Sequence, residues 1–143
     1  MTQYRDTDRA QFDLFKSLPR DTPINMLNLV RFHDAAQYPA DHAMAGDGLT
    51  GTQAYAKYGA ASAPVLARVG GNIVWRGGFE MSLIGPAQEH WDTMFIAHYP
   101  TAGAFLAMVT DPEYQRAVLH RQAAVSDSRL IRTQPLPPSD VFA

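Results

Sequence analysis

The segment Ile24-Asn25-Met26-Leu27-Asn28-Leu29-Val30-Arg31-Phe32 carries apolar side chains at both odd and even positions, so as a strand it is apolar on both faces. Such a strand belongs in the middle of a sheet with cover above and below. The rest of the chain must supply that cover. Three further strands are legible. Asn72 to Ile84 reads as a long one, with Trp75, Phe79 and Met81 on one face and Arg76, Glu80 and Ser82 on the other; Gly77-Gly78 weakens its middle and predicts a bulge or a close approach. Trp91 to Tyr99 sets Met94, Ile96 and His98 against Thr93, Phe95, Ala97 and Tyr99, and Pro100 ends it. Ser128 to Thr133 reads as the last strand.

Helices fill the intervals. Residues 8–18 place Phe12, Phe15 and Leu18 at helical spacing after Thr7, a suitable cap. Thr50 to Val69 sets Tyr55, Tyr58, Ala61, Val65, Leu66 and Val69 near one face, with Gly70-Gly71 as a left-handed stop and Pro64 predicting a kink or two abutting segments. Thr101 to Val109 is a short helix. The run from Asp111 to about Val125 is longer, with Asp111 as cap, Pro112 at the first position and Glu113 at the positive end. Residues 33–48, rich in Ala, Asp and Gly, form either a functional loop or a mobile insertion.

After the first helix the order is strand, helix, strand, strand, helix, strand. This is an α+β chain of ferredoxin-like βαββαβ type, with a four-stranded antiparallel sheet, helices on one face and an extra N-terminal helix. The helix-free face is apolar as well. A second copy covers it most economically, so a homodimer through the sheet faces is expected. At 143 residues, 46% hydrophobic, the chain builds one domain over residues 1–143, with its core at 22–134 and an extended Pro-rich tail at 135–143.

A net charge of −2 and no dense Lys/Arg run leave no electrostatic footprint for nucleic acid or an anionic membrane. No cysteine is present, which excludes disulfides, thiolate metal sites and a cysteine nucleophile. The polar start Met1-Thr2-Gln3-Tyr4-Arg5-Asp6 lacks the apolar core of a signal peptide, and a cytoplasmic protein is expected.

The blocks Met26-Leu27-Asn28-Leu29-Val30-Arg31-Phe32, Tyr55 to Gly59, Gly70-Gly71 to Trp75, Trp91-Asp92, Tyr99-Pro100, Asp111-Pro112-Glu113-Tyr114 and His120-Arg121 resemble a bacterial domain-of-unknown-function family, DUF1330-like, of the dimeric α/β-barrel superfamily. The resemblance covers roughly residues 22–134. It implies two ferredoxin-like subunits packing their sheets into a barrel and implies no reaction. Other branches of the superfamily, among them muconolactone isomerases, cofactor-independent monooxygenases, EthD-like proteins and haem-binding chlorite dismutases, place ligands between sheet and helices. Activity carried from them is analogy at the level of the fold.

Several residues are candidates for chemistry. His120 and Arg121 are either surface residues favoured by the negative helix end or a proton shuttle beside an anion clamp. Adjacent helical positions differ by about 100°, so the two do not share a face. Asn28 and Arg31 lie on the doubly covered strand, where a polar group needs a partner in protein, water or ligand. Their odd separation sends them to opposite faces, and Arg31 has possible ion-pair partners in Asp34 and Glu80. Tyr58, Trp75, His98 and Tyr99 are either core aromatics or groups that orient a flat ligand. The five histidines show no helical pair and no HExxH, and the acidic groups around His42 read as a solvated loop, so no metal is expected. No G-x-S-x-G, G-x-G-x-x-G or P-loop is present.

The leading functional reading is a cofactor-independent small-molecule enzyme of isomerase or monooxygenase type. In it His120 or His98 transfers a proton, Arg121 or Arg31 stabilises negative charge, and Asn28, Tyr58 and Trp75 bind the substrate. The alternative is a non-catalytic ligand-binding or structural homodimer. A second alternative is haem binding at His98 or His120.

Overall fold

In the computed structural model, which describes residues 2–143, the elements run α1 (Arg9–Ser17), β1 (Ile24–Phe32), α2 (Gly51–Arg68), β2 (Asn72–Gly77), β3 (Thr93–Tyr99), α3 (Ala102–Thr110), α4 (Pro112–Ala124) and β4 (Val125–Thr133). The sheet order is β2-β3-β1-β4, all neighbours antiparallel, so β1 is indeed central. This is the ferredoxin-like arrangement expected from the order of elements.

The two faces of β1 meet different surroundings. Ile24, Met26, Asn28 and Val30 are buried on the helix side. There Ile24 and Met26 join Val65 of α2, Ala97 and Tyr99 of β3, Phe105 and Met108 of α3 and Tyr114 of α4 in one core cluster. A second cluster gathers Val30, Ala54, Ala124 and Val125, with Phe32, Tyr38 and Tyr55 packed around it. On the other face, Leu27 lies opposite Ile96 and Ile131, Leu29 opposite Met94 and Arg129, and Trp75 opposite Ile96. Nothing in the chain's own helices covers that face.

Capping explains the helix starts. Thr50 and Gln53 bond reciprocally at the start of α2, and Asp111 accepts the Glu113 amide at the start of α4, with Pro112 in the first turn. Arg68, at the end of α2, reaches Asp111 at 3.0 Å and Glu113 at 3.5 Å, tying one helix end to the next helix start. Gly70, at φ +81°, turns the chain out of α2, and the Gly71 amide bonds back to the Leu66 carbonyl.

Several sequence expectations shift. The cap of α1 is Asp8, not Thr7, because the Asp8 carboxylate accepts the Gln11 amide at 2.8 Å. The helix through Pro64 runs unbroken from Gly51 to Arg68. β4 begins at Val125 and not at Ser128, since α4 passes directly into it. β2 stops at Gly77, seven residues short of Ile84. There the Trp75 ring lies so close over the backbone that a Cβ on Gly77 would come within 2.7 Å of it. The expected irregularity falls earlier in the strand than Gly77-Gly78, as a register shift between Ile73 and Trp75. Residues 33–49 are a folded loop. The His33 and Gln37 amides bond to the Ala124 and Ala123 carbonyls, and Ala36 bonds to Leu49.

Truncating Met26, buried at the centre of the larger cluster, to Ala costs about 2–5 kcal/mol in urea unfolding, whereas Leu14→Ala on the exposed face of α1 shifts stability by about 0.5 kcal/mol or less. Equal losses at the two positions would contradict this assignment of the core.

Candidate functional site

α4 presents two consecutive polar residues to two different places. His120 points to the folded loop, where its Nδ1 lies 2.7 Å from the Tyr38 hydroxyl. His42 stacks on the Tyr38 ring at 4.6 Å and meets His120 edge-on at 5.7 Å. The His42 Nδ1 accepts the Met44 amide at 3.0 Å, so its proton sits on Nε2. Burial, and after it the neighbouring His42 and Lys57, holds His120 below the ordinary imidazole value.

Arg121 points to the edge of the sheet. One guanidinium nitrogen donates to the Arg5 carbonyl at 2.6 Å and another to the Ser128 hydroxyl at 3.3 Å. The same N-terminal segment is fastened to β4 by two more bonds, from the Ser128 hydroxyl to the Tyr4 carbonyl and from the Tyr4 amide to Asp127. Arg129 lies over both the Tyr4 and Trp91 rings. Burial pushes the Asp127 carboxyl up, but bonds from the Tyr4 amide and Arg129 outweigh it and leave the group below the usual range.

No carboxylate lies within ion-pair distance of Arg121 among the described residues. Its charge falls instead on three phenols. Tyr55, Tyr58 and Tyr114 stand in a row with rings 5.3 and 6.1 Å apart, and the Tyr58 and Tyr114 hydroxyls are bonded at 2.8 Å. Burial raises all three above the ordinary phenol value, Tyr55 to about 12, and the Arg121 guanidinium pulls each part of the way back. Nearby, Arg5 also acts on His33. Burial, then the Arg5 charge, lowers that imidazole, and its Nε2 is buried without a partner.

The other residues singled out in the sequence lie apart. Asn28 is on the helix side, opposite Phe95 and Leu130, and its amide nitrogen donates to the Met26 carbonyl at 3.0 Å. Arg31 is on the opposite face, as its odd spacing requires, and forms an ion pair with neither Asp34 nor Glu80 among the described residues. His98 is also on that open face, with Nδ1 2.8 Å from Asn25 Oδ1, and Trp75 shares the face with it. The geometry thus groups Tyr58 with Arg121, and places His98, His120, Arg31 and Trp75 elsewhere. Two open hollows, about 390 and 280 Å³, lie over the exposed side of α2 at Gln53, Lys57 and Ala60 and at the sheet end by Arg76, Gly77 and Asp92. Neither touches these residues.

Tyr55, Tyr114, Tyr38, His33 and Ser128 complete these clusters and were not singled out as polar groups in the sequence. Tyr55 and Tyr58, three apart on α2, carried a detectable signal of shared helix face. The others are brought in by tertiary contacts without a local pattern.

The model of the family described as "Domain of unknown function (DUF1330)" matches residues 43–133. A protein of unknown function from Rhodopseudomonas palustris, RPA0582, is 52% identical; its crystal structure gives a TM-score of 0.88, covering 96% of this chain and 100% of that one. The methylated form of RPA0582 gives 51% identity and a TM-score of 0.90 over 98% of this chain and 100% of that one. A dimeric protein of unknown function and ferredoxin-like fold from Bacteroides fragilis is 12% identical, with a TM-score of 0.47 over 78% of this chain and 95% of that one, a likeness too slight to argue from. No curated protein matches the chain.

The lowered imidazoles make stability depend on pH. Since the unfolded chain binds protons more readily than folded His33 and His120, their contribution is full above the ordinary value of 6.5 and is lost as the pH falls below it. The urea midpoint is expected to drop between about pH 7.5 and about pH 5.5, and to drop less in His120→Gln. The same slope in the variant would contradict the role given to His120.

Proposed function

This chain belongs to the DUF1330 family, and we propose that it is a homodimeric binding protein for a small organic anion, held at Arg121 beside the tyrosine row. The observation that carries the reading is the uncompensated guanidinium. A half-buried arginine without a carboxylate is supported here only by a main-chain carbonyl and a hydroxyl, which are weaker partners than an anion. A ligand carboxylate takes the place of the Arg5 carbonyl, gaining a charge-assisted pair, and the aromatic row, its rings inclined at 49° and 74°, offers apolar surface for the remainder.

Proton-transfer catalysis is less well supported. It needs an acid or base within reach of the group that stabilises charge, and His120 and Arg121 diverge. His98 lies across the sheet from Arg121. The homodimer part of the reading is supported by the half-buried apolar sheet face, which includes Leu27, Leu29, Met94 and Ile96.

A second reading, a structural homodimer with no ligand, is favoured by the bonds that Asn28, Tyr58, His98, His120 and Arg121 already make within the chain. Calorimetric titration with a panel of aromatic and aliphatic carboxylates, each beside its uncharged amide, separates the two. Binding of a carboxylate and not its amide is expected, weakened roughly 10- to 100-fold in Arg121→Gln, the loss expected for a hydrogen bond to a charged group. No binding across the panel, or equal binding by the variant, would favour the structural reading.

A further inference from the structure

The connection between β2 and β3 is an unusual surface element. Residues 78–92 hold no helix or strand, and the described side chains include Met81, Leu83 and Ile84 at 64%, 86% and 95% exposure. Loop tips are normally polar, because solvent-facing turns gain nothing from apolar side chains. Here Leu83 and Ile84 immediately precede the turn at Gly85-Pro86, near the middle of the connection. Its base is firmly anchored, since the Asp92 amide bonds to the Val30 carbonyl and its carboxylate accepts the Phe32 amide. The result is a fixed stem with an apolar tip.

We propose that this segment is a dimerisation arm, and that in the homodimer the Met81-Leu83-Ile84 tip of each copy lies against the other copy, at the margin of its open sheet face. The inference rests on the homodimer reading and extends it. Area argues for the second copy as occupant. Four strands about 4.8 Å apart, each about seven residues of roughly 3.3 Å, make a face of roughly 440 Å². A stable interface takes about 800 Å² of accessible surface from each partner, more than this flat area, so surface at the margin of the face adds to it. The arm is exposed apolar surface anchored at the end of the sheet, whereas the other strongly exposed apolar residues, Leu136, Val141 and Phe142, lie in the extended tail. Running out and back through 15 residues, it reaches about seven residues, or roughly 23 Å, which is the length of the face it would border.

Charge points the same way. Residues 77–92 carry Glu80, Glu89 and Asp92 and no lysine or arginine, whereas the open face carries two arginines, Arg31 and Arg129, and one carboxylate, Asp127, which is ion-paired with Arg129 at 2.8 Å. Arg31 makes no ion pair among the described residues, and Glu80 of a second copy is a carboxylate of opposite sign beside an apolar contact.

Analytical ultracentrifugation of the full chain tests the arm, comparing wild type, Leu27→Asp on the sheet face and the double variant Leu83→Asp, Ile84→Asp, with circular dichroism to verify the fold. The arm side chains are exposed in the single subunit, so their replacement leaves the subunit fold intact. The expected result is a wild-type dimer whose dissociation constant rises at least about 100-fold in the arm variant. A dimer broken by Leu27→Asp and unaffected by the arm variant overturns the arm and keeps the sheet dimer. A monomeric wild type overturns both.

Discussion

A central strand that is apolar on both faces governs this protein. β1 has β3 on one side and β4 on the other, so its two faces are the middle of the sheet's two faces. One is closed by the chain itself, where α2, α3 and α4 bring Val65, Phe105, Met108 and Tyr114 against Ile24 and Met26. The other is left as Leu27, Leu29 and their cross-strand neighbours Met94, Ile96 and Ile131. Burial of apolar area is the main favourable term in both folding and association, and this second face is the observation on which the proposed homodimer rests.

The second organising constraint is helical geometry in α4. A step of one residue rotates a side chain by about 100°, and that rotation separates His120 from Arg121 completely. The imidazole joins Tyr38 and His42 under the folded loop, while the guanidinium reaches the N-terminal segment and β4. Two chemistries that look adjacent in the sequence therefore work in different surroundings. The helix and loop contacts also explain the state of the tyrosine row. Desolvation keeps the phenols protonated, and the nearby arginine leaves a positive potential without a fixed negative partner. That combination suits recognition of an anion better than transfer of a proton.

The fold was largely legible because its determinants are local. Caps at Thr50 and Asp111, the stop at Gly70 and the period-two pattern of β3 act through neighbouring residues. Misreadings arose where a nonlocal contact decided. The end of β2 depends on the Trp75 ring folding over Gly77, and the early start of β4 depends on pairing Phe32 with Val125 across a register shift. The site was legible only in part for the same reason. Arg121 and Tyr58 were singled out by residue type; Tyr55 shares α2 with Tyr58 and Tyr114 shares α4 with Arg121, but Ser128 and the Arg5 carbonyl come to Arg121 from β4 and the N-terminal segment. Nothing in one-dimensional spacing brings residue 5 to residue 121.

The proposed site requires that Arg121 be reserved for an anion. A crystal structure of the protein grown with benzoate tests this most directly. The account predicts the carboxylate on the Arg121 guanidinium, with the Arg5 carbonyl displaced and the aromatic ring beside Tyr55 or Tyr58. A structure in which Arg121 keeps the Arg5 carbonyl and the Ser128 hydroxyl as its partners at saturating benzoate would contradict it.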